Sequence, residues 1–236
     1  MNLKRGLAHP SSASTESGEG KAMAGQLLKT MQKNRDRWNC FVSYVKDKGL
    51  ASTLVFAMST ERDDAKLYDT FFSNPPKVKV KGIDGFAKQA RKVYIDRLDV
   101  ASKQGMIASQ GHAFAVSSPI FRELYESAKS WVTELIEKKV IREFLKSPTY
   151  RIYVSTQVDG PSLASKLGFP ANAAKELADL KVSLIVGEKS RAQTCAKLAI
   201  DYEMKAKLKN KNPRHGVRFT KPADLIKAVD KIKIAV

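Results

Sequence analysis

The sequence predicts an all-α fold, and three observations carry that prediction. Apolar residues recur at three-then-four spacing over long stretches. Gly and Pro cluster between those stretches and punctuate them. One short segment alone, Lys77-Val78-Lys79-Val80-Lys81, alternates in the manner of a strand. With 236 residues, 43% of them hydrophobic and 28% charged, the chain can bury a core and still present a strongly ionic surface.

From the N-terminus, residues 6–20 are small and polar and lack the aliphatic surface that would offset the entropy of ordering, so residues 1–22 are expected to be a disordered segment. That segment has basic residues but no apolar h-region, and it does not read as a secretory signal. A helical domain is expected over residues 23–152. Leu27, Leu28, Met31, Trp38, Phe41 and Val42 give one or two helices, with Trp38 as a core or lid residue. Gly49 is suited to end the helix before it, and Leu50, Leu54, Val55, Phe56 and Met58 begin another. Asn74-Pro75-Pro76 breaks helical structure, and the lysines that follow are either a gatekept loop or an anion-binding finger formed by Lys77, Lys79 and Lys81.

Helical spacing returns from Ile83 to Ala101 through Phe86, Ala90, Val93, Tyr94 and Leu98. Residues 101–117 are rich in Gly and Ser and read as a loop, in which His112 is expected to be exposed. The clearest pattern follows from Ser118 to Tyr150. Ile120, Phe121, Leu124, Tyr125, Ala128, Trp131, Val132, Leu135 and Ile136 form one stripe, with Ser118 as cap and Pro119 in the first turn. Lys138 and Lys139 suit a helix C-terminus, after which Val140, Ile141, Phe144 and Leu145 make a second short helix that Pro148 ends.

Residues 153–236 are expected to be a basic helical extension, with helices over 161–168, 171–185, 189–209 and 220–232, the last capped by Thr220 and started by Pro222. Lys and Arg outnumber Asp and Glu by 42 to 24, a net charge of +18 that favours anionic partners. The excess is most concentrated at Lys205, Lys207, Lys209, Lys211, Arg214, Arg218 and Lys221. Three readings stand for that cluster: a solvated helix end, a contact with acidic membrane or phosphoinositide, and a contact with nucleic-acid phosphates. Only Phe219 interleaves with these charges, so a stacking platform for nucleic acid is not evident.

No apolar run approaches the ~20 residues of a membrane span. Cys40 and Cys195 exclude a disulfide framework or a four-thiolate zinc site and fit a reducing compartment. There is no glycine-rich phosphate loop, no helical pair of histidines and no nucleophile–histidine motif, so neither an enzyme nor a cofactor is expected.

Several of these blocks together resemble the regulator of G-protein signalling (RGS) homology domain over residues 38–152. Tyr125-x-x-Ala128, Val132, Leu135, Ile136 and Phe144-Leu145-Lys146-Ser147-x-x-Tyr150 are similar to that family's closing motif. Phe41, Tyr44, Val45, Leu54 and Phe56 fall on its earlier spacing, and Ala90-Arg91-Lys92-Val93-Tyr94 resembles its Ala-x-x-Ile-Tyr helix. The resemblance implies an RGS-like helical bundle with an additional C-terminal helical extension. It also implies a protein partner, the Gα subunit, whose GTP hydrolysis such domains speed by holding the switch loops without donating a catalytic group.

By that resemblance the partner-facing positions are Ala51, Ser52, Thr53, Ile107, Leu135, Lys139, Val140 and Glu143. The family's acidic-acidic-Asn run is expected at Ala51, Ser52 and Thr53, and its loop Asn near Ile107. Its Asp falls on Lys139 and its Arg on Glu143, so the charges are inverted. The family's lead-in tryptophan is not matched by Trp38, and extra residues, including Pro75–Lys81, separate Phe56 from Ala90. The expectation is a cytoplasmic binding or scaffold module, peripheral to the membrane, whose GTPase-activating surface is largely not retained. The open alternatives are an active GTPase-activating protein for a divergent Gα, and a basic adaptor for acidic lipid or, less favoured, nucleic acid.

Overall fold

The computed structural model describes residues 25–209 and 218–234, and it is all-α, with no strand among them. The disorder expected for residues 1–22, and the side chains of Lys209, Lys211 and Arg214, lie outside the described residues. None of the described helices is long and apolar enough to cross a membrane.

Two short helices, α1 (Gln26–Gln32) and α2 (Arg35–Asp47), lead in. The Asn34 side chain accepts from the Arg37 amide at 3.0 Å and caps α2. Gly49 ends α2 with a positive φ of 65°, and the Leu50 amide reaches back to the Val45 carbonyl at 2.9 Å. Next comes α3 (Ala51–Met58), which buries Leu54, Phe56 and Ala57.

A helix the sequence pattern did not announce follows, α4 (Asp64–Leu67), widened into a π turn over Tyr68–Phe72. Asp63 starts it by accepting from the Ala65 and Lys66 amides, and the π turn brings Tyr68, Phe71 and Phe72 inward together. Residues 77–81 form neither strand nor helix. Val80 is buried and Val78 half-buried while Lys77, Lys79 and Lys81 are exposed, so the alternation marks a loop laid on the core.

The long α5 (Asp84–Lys103) packs against α6 (Ala108–Val116), which replaces the loop expected over residues 101–117. Gly111 makes that approach close, since a Cβ there would lie 3.6 Å from both Ala101 Cβ and Leu98 Cδ2. Then α7 (Pro119–Leu135) runs without a break through a π turn over Ile136–Val140 into α8 (Ile141–Leu145). The helix end expected at Lys138 and Lys139 is therefore a local widening, because Ile136, Val140 and Ile141 are all buried and keep the chain on the core. Ser118 occupies the cap position of α7 but its side chain makes no capping bond. Pro148 starts a helix instead of ending one: it opens α9 (Pro148–Gln157), capped by Ser147, which accepts from the Tyr150 amide at 3.2 Å.

These elements close around a core of interlocked rings. Phe41 meets Phe144 with centroids 5.3 Å apart, Phe56 meets Phe71, Phe72 and Tyr125, and Phe144 meets Tyr150 at 5.1 Å. The boundary expected after residue 152 falls inside α9, whose Tyr153 and Val154 belong to this first core.

The second core starts at α10 (Gly160–Leu167), capped by Asp159, and continues through α11 (Ala174–Val186), α12 (Lys189–Lys209) and α13 (Pro222–Lys231). Its buried residues are mainly Leu and Ala: Leu163, Ala164, Ala173, Leu177, Leu180, Ala192, Ala196, Ala199 and Leu225. Lys221, not Thr220, occupies the cap position of α13. The buried Lys181 ties down the other end of that helix, donating to the Val229 and Asp230 carbonyls at 3.1 Å each, and burial lowers its pKa. Helix α11 serves both cores, with Leu177 and Leu180 in the second and Val182, Ile185 and Val186 against the first.

Candidate functional site

The sequence-predicted partner positions do not form one surface. Ala51, Ser52 and Thr53 make the first turn of α3, and Thr53 is only 2% exposed, because that face packs inward with Leu54. In the first lobe two adjacent carboxylates instead mark the start of α4, Asp63 at its cap and Asp64 in its first turn. Both are engaged, Asp63 as the cap and Asp64 in an ion pair with Arg122. Ile107 is exposed at the start of α6, just beyond the C-terminal end of α5. Leu135 and Lys139 share a groove with Trp131, whose ring meets Gly82 two residues ahead of α5, and so lie toward the opposite end of that 20-residue helix, which is about 30 Å long.

The remaining positions follow the widened end of α7. Leu135 is half-buried, Lys139 and Glu143 are exposed, and Val140 is buried at 5% exposure, which removes it from any partner-facing set. Leu135 and Lys139 line a shallow groove with Trp131, Glu134 and Lys138. Trp131, counted above in the buried stripe, is 41% exposed. Its ring lies over Gly82, where a Cβ would come within 2.7 Å of it, and Gly82 also has a φ of 87° that favours glycine. The outer edge of its six-membered ring, Cη2 and Cζ3, is what meets the glycine, while much of the side chain stays exposed.

A second groove adjoins the first across Lys138 and is lined by Gln26, Leu27, Thr30, Glu137 and Arg142. Between them Glu137 has a structural duty, accepting from the Leu28 amide at 3.0 Å and capping the start of α1. Glu134 is paired with Lys138. Lys139 and Arg142 have no acidic partner among the described residues, which leaves the lining of the double groove with net positive charge and exposed apolar side chains at Trp131 and Leu27. Sequence reasoning missed Trp131, Leu27, Lys138 and Arg142 as surface groups. The signal for Trp131 was the glycine at position 82, which only the fold brings beneath it.

The anion-binding candidates separate into free and engaged groups. Lys77, Lys79 and Lys81 are exposed along their loop. Of the C-terminal cluster, Lys205 and Lys221 are exposed, Lys207 pairs with the buried Glu203 at 2.8 Å, and Arg218 donates to the Leu167 carbonyl at 3.1 Å. Glu203 also accepts from the Arg218 amide, so part of that basic cluster is folded onto α12 and the end of α10. Beside it a groove lined by Pro170, Ala171, Asn172, Tyr202, Lys205, Ala206 and Leu208 leaves Leu208 82% exposed.

His112 is not a loop residue. It sits on α6, half-buried, with Nδ1 2.9 Å from the Tyr94 hydroxyl and Nε2 3.8 Å from Asp69, so it links α6 to α5 and to the π turn after α4. Tyr68 stacks on Tyr94 with centroids 4.2 Å apart. Burial, followed by the neighbouring Tyr94, pushes the Tyr68 hydroxyl up to about 12. Burial likewise raises the Cys40 and Cys195 thiols, opposite to what a nucleophile requires. Among the described residues no group of three or more His, Cys, Asp or Glu side chains is placed to hold a metal ion.

Compared with protein-family models, with curated proteins and with solved structures, the chain has no match in any of the three.

Proposed function

We propose that the chain is a protein-binding or scaffold module of the RGS-homology type, acting at the cytosolic side of G-protein or membrane-proximal signalling without an efficient GTPase-activating surface. The observation that carries this reading is the way the motif residues meet. Within one core, Phe56 and Tyr125 meet and hold α7 against α3, while Phe41, Phe144 and Tyr150, also distant in sequence, form a second ring cluster that holds α8 against α2. Beside that cluster Lys139 and Glu143 carry charges opposite to those that would grip a Gα switch, and a hydrogen-bond partner left unmatched costs about 1–3 kcal/mol. Binding without catalysis is what such a surface supports.

The test is capture of Gα in its transition-state form beside its GDP form, followed by single-turnover GTP hydrolysis. The reading expects capture with little change in rate, and an acceleration of about a thousandfold would overturn it. A second reading, activation of a divergent Gα, draws on the carboxylates of Asp63 and Asp64 at the start of α4. Lys139→Asp separates the two, lowering activity toward a charge-complementary Gα and leaving hydrolysis unaffected for a scaffold.

A further inference from the structure

We propose that the double groove at the end of α7 docks a short acidic segment of a partner protein carrying one large apolar anchor, which seats against Trp131 and Leu135. This rests on the reading of the chain as a binding module, but not on the partner being Gα.

Shape and charge both point to this occupant. The apolar component is local: Trp131 with its ring edge against Gly82, Leu135 half-buried beside it, and Leu27 exposed across the Lys138 ridge. One or two anchoring side chains fit such a patch, whereas a broad apolar face would need a larger one. The rim is cationic. Lys139 and Arg142 stand on the helix without an acidic partner, while the two carboxylates that line the grooves are already committed, Glu134 to Lys138 and Glu137 to the Leu28 amide; the exposed Glu143 stands at the edge beside Arg142. A segment bearing carboxylates would meet the unpaired Lys139 and Arg142 beside its anchor. A second copy of this chain is disfavoured as occupant, because at a net charge of +18 self-association brings like charge together.

The groove is also held rigid, so binding would cost little ordering at the receptor. The π turn of Ile136–Val140 is pinned by three buried aliphatic side chains at Ile136, Val140 and Ile141, and Glu137 fixes α1 as the far wall.

The experiment is a fluorescence titration of the full chain with Trp38→Phe, which leaves Trp131 as the single indole. The probes are 12-residue peptides rich in Asp and Glu with one central Leu or Phe. The same peptides without the anchor or with Lys in place of the acids serve as controls, together with phosphatidylserine vesicles and a single-stranded DNA of matched charge. The anchored acidic peptide should shift Trp131 emission saturably, and Lys139→Glu combined with Arg142→Glu should weaken it at least tenfold, whereas Lys205→Glu on the other lobe should not. No saturable shift, equal binding by the anchor-free peptide, indifference to the Lys139 and Arg142 changes, or preference for vesicles or DNA would each overturn the proposal. If Trp38→Phe lowers the melting temperature, the difference between the wild-type chain and Trp131→Phe gives the same signal. Failure of Gα capture would leave this titration intact, and Gα capture without peptide binding would overturn the present proposal alone.

Discussion

The two cores of this chain solve the same packing problem with different materials. The first interlocks large rings across α2, α3, α4, α7, α8 and α9, so its elements are held by the shapes of a few residues contributed from distant parts of the sequence. The second brings helix backbones close over Ala and Gly and relies on many small contacts between sequential neighbours. A ring core tolerates short helices and wide turns around it, which is where α4 and the two π turns are found. The backbone-close core is built mainly of regular helices, with one short 3-10 turn at Ala171–Ala173.

The sharpest way to break this contrast is to remove one ring. Phe56 is fully buried and touches Phe71, Phe72 and Tyr125, so Phe56→Ala should cost about 3–5 kcal/mol in denaturant unfolding. A loss below about 1 kcal/mol would mean that the rings are not what holds the first core.

Alkali should separate the cores next. Tyr68 keeps its proton in the folded state to about pH 12, whereas an unfolded tyrosine releases it near 10, so the folded form binds more protons in that window. Its stabilisation is complete below pH 10 and is lost as pH rises through 12, amounting to roughly 2–3 kcal/mol. Tyr44, Tyr94, Tyr125, Tyr150 and Tyr153 are shifted in the same direction by burial, and all lie in the first lobe. Hydrogen exchange at rising pH should therefore show α4, α5 and α7 opening before α12. The reverse order would contradict the assignment.

The smallest effect tests the second core. A Cβ on Gly160 would lie 2.5 Å from the Ala174 carbonyl oxygen, so Gly160→Ala should force α10 away from α11 at about 1–3 kcal/mol. Faster amide exchange in α10 and α11, with the first lobe unchanged, is the expected signature.

The same contrast explains what could be read from the sequence alone. In the second lobe regular spacing and Gly punctuation placed α10 to α13 within a few residues, because local pattern and final structure agree there. In the first, Asp69-Thr70-Phe71-Phe72 shows no helical spacing of its own ahead of the break at Asn74-Pro75, yet it is helical, in a π turn that lets consecutive aromatics share one core. His112 and its helix were hidden by a Gly- and Ser-rich composition whose glycine serves a close approach instead of a loop. The candidate surface was legible only in part. Leu135, Lys139 and Glu143 lie on it or at its edge, but the exposure of Trp131 and the inward turn of Val140 depend on a widened helical turn that spacing arguments do not contain.

Helix α11 carries a consequence for how the protein meets its surroundings. It is a party wall, one side papered with Leu177 and Leu180 and the other with Val182, Ile185 and Val186. Neither lobe owns it, so a fragment cut near residue 158 would leave its seat on the first lobe bare to water, an invitation to aggregate. For the intact chain, that shared helix is what ties the two lobes to each other.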